Sequence, residues 1–207
     1  GDALRGLVAA GSMMALIDRR DYWQCAYIFP KGMAETLRGE GIGAMRARIE
    51  TAAPLLGTLD KVLTDMRQMR LLSVALDRLD CWHRPGLLAI GDAAHAMSPV
   101  GGIGINLAIQ DAVATANLLA GPMREMSNVD KLLHRVEKRR LFPTLVIQAG
   151  QKAAQDRIIG AIFKPGARLD RPAWPLRMLN RFPLLRRIPG RIVGFGVRRE
   201  RVSSPEA

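Results

Sequence analysis

The segment from Leu87 to Ala120 constrains the fold more than any other part of the chain. It begins with a short apolar run, LLAI, continues through Gly91 and Asp92 into a glycine-rich loop, and then becomes a series of small and apolar residues. A short apolar run bounded by turn residues is typical of a strand buried on both faces. Alanines at positions 108, 112 and 116 recur at helical spacing. The sequence therefore predicts a strand, a tight turn and a helix in succession.

The residues of this turn suit a ligand that carries both hydroxyl groups and a flat ring system. Glycine at 91 lets the backbone approach a ligand closely, and the Asp92 carboxylate can accept hydrogen bonds from ribose or ribityl hydroxyls. Further glycines remove side chains where a ring would press on the main chain: Gly101, Gly102 and Gly104. The N–H groups of Ile105 and Asn106, where the helix begins, favour a partly negative oxygen. Reduced flavin presents such an oxygen.

The stretch GLLAIGDAAHAMSPVGGIGINLAIQDAVATANLLA, residues 86–120, resembles the second FAD fingerprint of the flavin-dependent aromatic hydroxylases. This family of group A FAD monooxygenases is typified by p-hydroxybenzoate hydroxylase. Three flanking segments extend the resemblance: DYWQCAYIFPKG is similar to a strand of the family's substrate domain, DRLDCW to the approach to the fingerprint, and VEKRRLFPTLVIQ to the long C-terminal helix. The resemblance covers roughly residues 12–165.

The resemblance implies FAD as the cofactor and NAD(P)H as a transient reductant. In such enzymes O2 adds to the reduced flavin, and the hydroperoxide passes one oxygen atom to an aromatic or other electron-rich substrate. Asp92 would hold ribityl hydroxyls, and Pro99 would border the isoalloxazine ring. The start of the helix would contact the pyrimidine edge. The candidate cofactor-binding residues are Gly91, Asp92, Pro99, Gly101, Gly102, Gly104, Ile105 and Asn106, and no catalytic acid or base is assigned.

The elements that bind the ADP half of FAD in this family do not occur in the sequence. That half requires a G-x-G-x-x-G turn after a strand and an acidic residue about 20 positions further on. Gly102-Ile103-Gly104 has Leu107 at the third glycine position and follows Asp92 instead of preceding it. The chain also begins without an initiator Met. We therefore expect the C-terminal half of a hydroxylase, inactive as this fragment alone.

The fold class that these patterns predict is α+β. We expect part of an FAD-binding Rossmann-like domain, an antiparallel substrate-domain sheet and a long C-terminal helical region. The predicted domains are a partial substrate domain at 1–80, the second FAD fingerprint at 81–125, a long kinked helix at 126–165 and a basic Pro/Arg-rich tail at 166–207.

Several individual elements are predicted around the fingerprint. Residues 12–32 read as a β-hairpin and residues 42–52 as a helix that Pro54 ends. A second short helix over residues 59–66 and a strand over residues 70–79 are expected next. Asn128 is expected to cap a long basic helix, which Pro143 should kink or divide near Phe142 before it resumes towards Phe163.

Two sets of side chains leave alternatives open. Trp23, Gln24 and Tyr27 on the predicted hairpin are candidates for the substrate pocket, although aromatic residues on a strand equally suit the core. The cysteines, Cys25 and Cys81, match no ligand or redox spacing, and no pair among the three histidines has metal-ligand spacing. We therefore predict no disulfide and no metal site, with a reducing cytoplasm as the default location. His95 is interpreted as a structural residue behind the loop.

The net charge of +12 is concentrated near the C-terminus. Residues 168–201 hold ten arginines, with Asp170 and Glu200 as their acidic residues. Apolar side chains alternate with these arginines, so the tail can lie as a peripheral contact on anionic lipid, or it is a solvated extension or a subunit contact. Nucleic acid is not expected as a partner because no recognition fold accompanies the charge.

Other functions remain open beside the monooxygenase. The same fold could serve a flavin reductase or a halogenase. A noncatalytic flavin-fold remnant or an interaction module is an alternative of a different class. An upstream segment with a dinucleotide-binding turn favours the enzyme, because it completes the cofactor site.

Overall fold

A computed structural model describes residues 4–9, 11–99, 102–163, 178, 181–182 and 187–205. The chain forms two compact units. The first comprises Gly1–Leu72 with Gln155–Ala173, and the second comprises Ser73–Ala154 with Trp174–Ala207. Both helices and antiparallel sheets are present, which agrees with the predicted α+β class. The domain boundaries expected from the sequence stay predictions.

The first unit contains a three-stranded antiparallel sheet. Its strands are β1 (Leu4–Ala9), β2 (Ser12–Asp18) and β3 (Trp23–Ile28), in the order β1-β2-β3. Alternate side chains of β2 are buried, which is the pattern of a strand with one face on a core. The predicted hairpin is confirmed as β2–β3.

Two helices follow the sheet of the first unit, and the second of them packs on it. They are α1 (Ala34–Gly39) and α2 (Gly41–Ala52), and the 3-10 turn Pro54–Leu56 follows them, so the predicted helix that ends before Pro54 is confirmed. The core joins side chains of β2 and α2: Met14, Leu16, Met45, Ile49 and Ala53. This core is apolar throughout, as the hydrophobic pattern of both elements requires.

The helix expected over residues 59–66 is wrong, and side chains bond to backbone N–H groups near both ends of this segment. The N–H of Leu59 donates to the Glu50 carboxylate at 2.7 Å, and the N–H of Thr64 donates to the Gln68 side chain at 2.8 Å. Such bonds compete with helical ones. Only a 3-10 turn forms, at Met66–Gln68, although Leu59, Leu63 and Met66 still pack against the core.

The strand expected over residues 70–79 is also wrong. This segment has no regular structure. In the second unit, the N–H groups of Asp77 and Leu79 donate to the carbonyls of Ala96 and Ala94 at 3.2 and 2.8 Å. The segment is therefore held by the loop after Gly91 and not by a strand ladder.

The second unit contains a short hairpin, a tight turn and two long helices. The hairpin consists of β4 (His83–Arg84) and β5 (Leu87–Leu88), and it leads to a 3-10 turn at Gly91–Ala93. The expected strand with two buried faces is wrong: Leu87 is 60% exposed, and among the described residues only β4 pairs with β5. The predicted helix after the loop is confirmed as α3 (Gly104–Arg124).

The second long helix, α4 (Asp130–Ala154), follows a cap at Asn128, as predicted. The Asn128 side chain accepts a hydrogen bond from the N–H of Asp130 at 2.9 Å. The division expected near Phe142 is wrong, because α4 continues through Pro143. Buried residues lie on both sides of the proline, at Arg140, Thr144 and Ile147. Their packing outweighs the loss of the helical hydrogen bond that Pro143, which has no N–H, cannot donate.

α4 is followed by a π-helical turn at Gln155–Ile159 and then by the short helix α5 (Gly160–Ile162). Within the basic tail, the described residues include α6 (Arg187–Phe195). The interpretations placed on residues 164–177 lie outside the described residues. No described helix combines the length and apolarity needed to cross a membrane.

Candidate functional site

Gly91 begins a tight turn whose conformation and close packing favour glycine. Its φ is +59°, a left-handed conformation that strains other residues, and a Cβ at this position would lie 2.9 Å from the Cβ of Ala108 on α3. The Gly91 carbonyl accepts hydrogen bonds from the N–H groups of Ala94 and His95, both at 2.9 Å. The chain therefore reverses closely against α3 immediately after β5.

A buried carboxylate on α3 anchors this turn from behind. Asp111 is fully buried, and its Oδ2 accepts hydrogen bonds from the N–H of Gly91 at 3.0 Å and from His95 Nε2 at 2.6 Å. Its Oδ1 accepts a hydrogen bond from Arg140 Nε of α4 at 2.8 Å. One side chain thus fixes the turn to both long helices.

The environment of Asp111 favours its charged form. Burial raises the pKa of Asp111, but hydrogen bonds from His95, Arg140 and the Gly91 N–H outweigh burial, so the pKa lies below its ordinary value. The His95 ring lies behind the turn, as predicted, with its centroid 5.0 Å from that of the buried Trp82. His95 is therefore buried and supports the turn.

The network continues from α4 into the C-terminal residues. Arg139 makes two hydrogen bonds to Glu200, at 2.8 and 2.7 Å, and Arg140 donates to the Arg198 carbonyl at 3.2 Å. Burial raises the pKa of Glu200, but the hydrogen bonds from Arg139 and the positive charges of Arg139, Arg140 and Arg198 together outweigh burial, so the pKa is lowered. On α3, the Asn117 amide donates to the Arg201 carbonyl at 2.8 Å. These hydrogen bonds hold residues 198–201 on the two long helices of the second unit. The solvated extension considered for the basic tail therefore does not describe this part of it.

An exposed carboxylate lies beside the start of α3. Asp92 is exposed, and one of its oxygens lies 3.9 Å from where a Cβ of Gly104 would be. The first residue before the helix, Ile103, supplies no side-chain cap, and the first turn contains no acidic residue. The positive end of a 21-residue helix therefore lies near Asp92 without a capping side chain.

The loop between Asp92 and α3 leaves its surface open. Gly102 has a φ of +62° with no atom within 4 Å of a Cβ built there, so glycine is required for conformation and not for space. Pro99 and Ile105 are exposed and Asn106 is half-buried. Gly101 lies outside the described residues. A flat ring with a polar edge suits such a surface, and the exposed carboxylate of Asp92 is suited to accept hydrogen bonds from ribityl hydroxyls.

The candidate substrate-pocket residues lie on β3 of the first unit. Trp23 and Tyr27 are half-buried and pack against the apolar core, and the Arg5 guanidinium lies 5.5 Å from the Trp23 ring centroid. Gln24 is exposed and accepts hydrogen bonds from the Arg19 side chain at 3.0 and 2.8 Å. The two aromatic rings therefore serve the core, and a role in a substrate pocket stays a prediction.

Sequence spacing did not reveal either of two side-chain groups in the second unit. One is the network of Asp111, Arg140 and Glu200, whose members are 29 and 60 residues apart. The signal available was Asp111 itself, the lone charge in the run of residues 105–123. The other group is Cys81, His83 and Glu137, which the structure brings together although no metal site was predicted.

Comparison with known proteins identifies a family and several relatives of this chain. The FAD binding domain family matches residues 6–150. The chain is 33% identical over 156 residues to 6-methylpretetramide 4-monooxygenase of Streptomyces rimosus, which covers 72% of this chain and 37% of that protein. It is 41% identical over 88 residues to kynurenine 3-monooxygenase of Xanthomonas oryzae pv. oryzae, covering 42% of this chain and 19% of that protein.

Solved structures show the same fold. PqsL of Pseudomonas aeruginosa, described as a probable FAD-dependent monooxygenase, superposes with a TM-score of 0.57 at 20% identity, covering 79% of this chain and 46% of PqsL. PqsL in complex with 2-aminobenzoylacetate gives a TM-score of 0.58 at 21% identity, covering 77% and 45%. The chain spans less than half the length of these relatives.

Proposed function

Since this chain belongs to the FAD binding domain family of FAD-dependent monooxygenases, we propose that it forms the flavin-contacting part of such an enzyme. The substrate class we propose is a small aromatic or other electron-rich molecule, with O2 and NAD(P)H as co-substrates. The observation that carries the proposal is the Gly91–Ala93 turn, which Asp111 clamps so that Asp92 stands exposed beside the uncapped start of α3.

The chemistry that FAD supplies when bound is electron transfer from NAD(P)H and activation of O2. Asp92 would accept hydrogen bonds from the ribityl hydroxyls, because its carboxylate is exposed and adjacent to the loop. The first turn of α3, residues 104–106, would bind the pyrimidine edge, where the helix dipole favours negative charge. Pro99 and Gly102, which are exposed, would border the ring.

The names of the relatives support the proposed class of substrate. The two curated relatives are monooxygenases named for 6-methylpretetramide and kynurenine, and one PqsL structure contains 2-aminobenzoylacetate. Each of these names belongs to the relative. For this chain we propose the shared class, a small aromatic ring that accepts one oxygen atom.

Flavin titrations of the 207-residue chain test this proposal. If the chain holds only the flavin half of the cofactor, riboflavin and FAD will bind within about threefold of each other, because the ADP half contributes little. Binding will be weaker than micromolar, without NADH or NADPH oxidation. Asp92→Ala will weaken the binding of riboflavin and of FAD about 10- to 100-fold, which corresponds to lost hydrogen bonds worth about 1.5–3 kcal/mol.

Asp80→Ala is the matched control, since Asp80 is also exposed and lies in the same unit. It should leave both flavin affinities unchanged. Equal flavin binding by the chain and by its Asp92→Ala variant would contradict the role given to Asp92. Submicromolar FAD binding with much weaker riboflavin binding would contradict the proposal that this chain binds only the flavin half of FAD, because the chain itself would then recognise the ADP half.

A further inference from the structure

A group of potential metal ligands lies on the hairpin and on α4 of the second unit. Cys81 Sγ, His83 Nδ1 and a Glu137 carboxylate oxygen all lie within 4.8 Å of one another. Cys81 is exposed, whereas His83 and Glu137 are partly buried. We propose that this Cys-His-Glu cluster binds one Zn²⁺ ion, with water as the fourth ligand. The site is separate from the Gly91 turn and does not depend on the proposed function.

The distances within the cluster are close to those of a tetrahedral zinc site. With Zn–S of about 2.3 Å and Zn–N and Zn–O of about 2.0–2.2 Å, neighbouring ligand atoms are about 3.4–3.5 Å apart. Sγ lies 3.7 Å from Nδ1, and Nδ1 lies 2.8 Å from Glu137 Oε2. The second pair has to separate by about 0.6 Å when its hydrogen bond is replaced by two bonds to the metal, and the Cys81–Glu137 pair already lies within 4.8 Å.

The cluster is positioned by backbone contacts that do not depend on a metal. Glu137 Oε2 accepts a hydrogen bond from the N–H of Trp82 at 2.9 Å, so the carboxylate of α4 is held between the two hairpin ligands. The Trp82 side chain is buried, and its carbonyl accepts a hydrogen bond from the N–H of Ala89 at 2.8 Å. Such outer contacts orient metal ligands and reduce the rearrangement that binding requires.

The ligand types select the metal. A thiolate with an imidazole suits Zn²⁺, whereas Mg²⁺ and Ca²⁺ prefer oxygen ligands. The Cys81 thiol now donates a hydrogen bond to the His83 carbonyl at 3.1 Å, and on binding it loses its proton to solvent. The proton between His83 and Glu137 moves to Nε2 or to solvent, which leaves Nδ1 free to bind the metal. Exposure of Cys81 leaves room for water in the fourth position, as in open zinc sites.

The second cysteine provides a matched control for metal titrations. Cys25 is also exposed and free, but it lies on β3 of the first unit. Co²⁺ added to the chelator-treated chain should give a thiolate-to-cobalt charge-transfer band that saturates at one equivalent and disappears on addition of Zn²⁺. Cys81→Ser should abolish the band and weaken Zn²⁺ binding at least tenfold, whereas Cys25→Ser should retain both. A band that survives Cys81→Ser, or no saturable band, would overturn the site.

A second variant tests the contribution of α4. Glu137→Gln retains an oxygen that accepts from the Trp82 N–H but removes the negative charge. It should weaken Zn²⁺ binding at least tenfold while the metal-free Tm changes little. Saturating Zn²⁺ should raise the Tm of the unaltered chain and of Cys25→Ser, but not that of Cys81→Ser. Unchanged Zn²⁺ affinity in Glu137→Gln would overturn the assignment of Glu137 as a ligand.

Discussion

The interiors of the two units differ, because that of the first is apolar whereas that of the second combines apolar clusters with buried charges. The first has an apolar core in which Met14, Leu16 and Ile49 come from β2 and α2. The centre of the second holds fully buried charges, Asp111 and Arg140, with Glu200 beside them. An apolar core follows from the periodicity of its elements, whereas a buried ionic network depends on pairings between distant residues. Truncating a side chain of the first interior leaves a cavity, whereas truncating one of the charged side chains of the second leaves a buried partner unpaired.

The buried network gains stability from its completeness. Asp111 accepts three hydrogen bonds, from a backbone N–H, an imidazole and a guanidinium. These bonds offset the cost of removing the carboxylate from water. Removing one member leaves the others charged or unpaired in a buried place, so each member should matter more than its own contacts suggest.

Asp111→Ala should have the largest effect on stability. It leaves Arg140, His95 and the Gly91 N–H without their acceptor, and breaking a buried ion pair in this way costs about 3–5 kcal/mol. Urea unfolding combined with hydrogen exchange of second-unit peptides measures the loss. Asp92→Ala, in the same turn but exposed, should change the free energy of unfolding by less than about 0.5 kcal/mol. Equal effects of the two variants would contradict a central role for Asp111.

Leu16→Ala should have the next largest effect, and in the first unit. Leu16 is fully buried on β2, so truncation removes apolar contact and leaves a cavity at a cost of about 3 kcal/mol. Val8→Ala on β1 is the control, because Val8 is 45% exposed, and it should cost less than about 1 kcal/mol. Hydrogen exchange of first-unit peptides checks the result. If Leu16→Ala loses no more stability than Val8→Ala, the role of Leu16 in the apolar core is contradicted.

The sequence predicts elements of both units where local patterns alone decide the structure. The β2–β3 hairpin and α2 follow from alternation and helical spacing, and the Asn128 cap of α4 follows from one residue type. The helix over residues 59–66 fails because Glu50 and Gln68 side chains bind its backbone. The division at Pro143 fails because buried neighbours hold α4 together. In both places, interactions other than local propensity decide the outcome.

The candidate site shows the same limit on prediction. Gly91 and the exposed Asp92 are recognisable from the glycine-rich turn and its resemblance, and the structure places Asp92 beside Gly104. The clamp from Asp111 to Arg140 is not recognisable, because an arginine in the basic run of α4 looks like part of a solvated face. Only the lone acidic residue in the apolar helix α3 indicated a buried partner.

Gly91→Ala should have a smaller effect than either core variant, about 2 kcal/mol. Part of the cost is the left-handed conformation at φ +59°, and part is the 2.9 Å approach to the Ala108 Cβ. Gly102→Ala is the control, since its φ is +62° with no atom nearby, and it should show the conformational cost of about 1–2 kcal/mol alone. Ala108→Gly should relieve this clash, so that in a double-mutant cycle of unfolding free energies Gly91→Ala costs less when residue 108 is glycine. Additive effects at 91 and 108 would contradict the close approach.

The smallest effect expected is a difference in acid sensitivity between the two units. For both Asp111 and Glu200 burial raises the pKa, but the pKa is lowered because several partners together outweigh burial: His95, Arg140 and the Gly91 N–H for Asp111, and Arg139 with the charges of Arg140 and Arg198 for Glu200. A carboxyl whose folded pKa lies below its unfolded value of about 3.9–4.3 contributes stability above that value and loses it as the pH falls through the folded pKa. The second unit should therefore lose hydrogen-exchange protection progressively below about pH 4.

The first unit should change less over the same pH range, because its described core is apolar. Its Asp65 also has a lowered pKa, through hydrogen bonds from Arg67, but that pair lies at the surface and is screened by salt. Hydrogen exchange at pH 6, 4 and 3 in high salt separates the two contributions, since salt suppresses the surface pair and leaves the buried one. Asp111→Asn should flatten the acid response of the second unit because it removes one titrating group. Parallel loss of protection in both units in high salt would mean that the buried carboxylates do not set the acid response, and that the contrast between the two interiors has no consequence for pH.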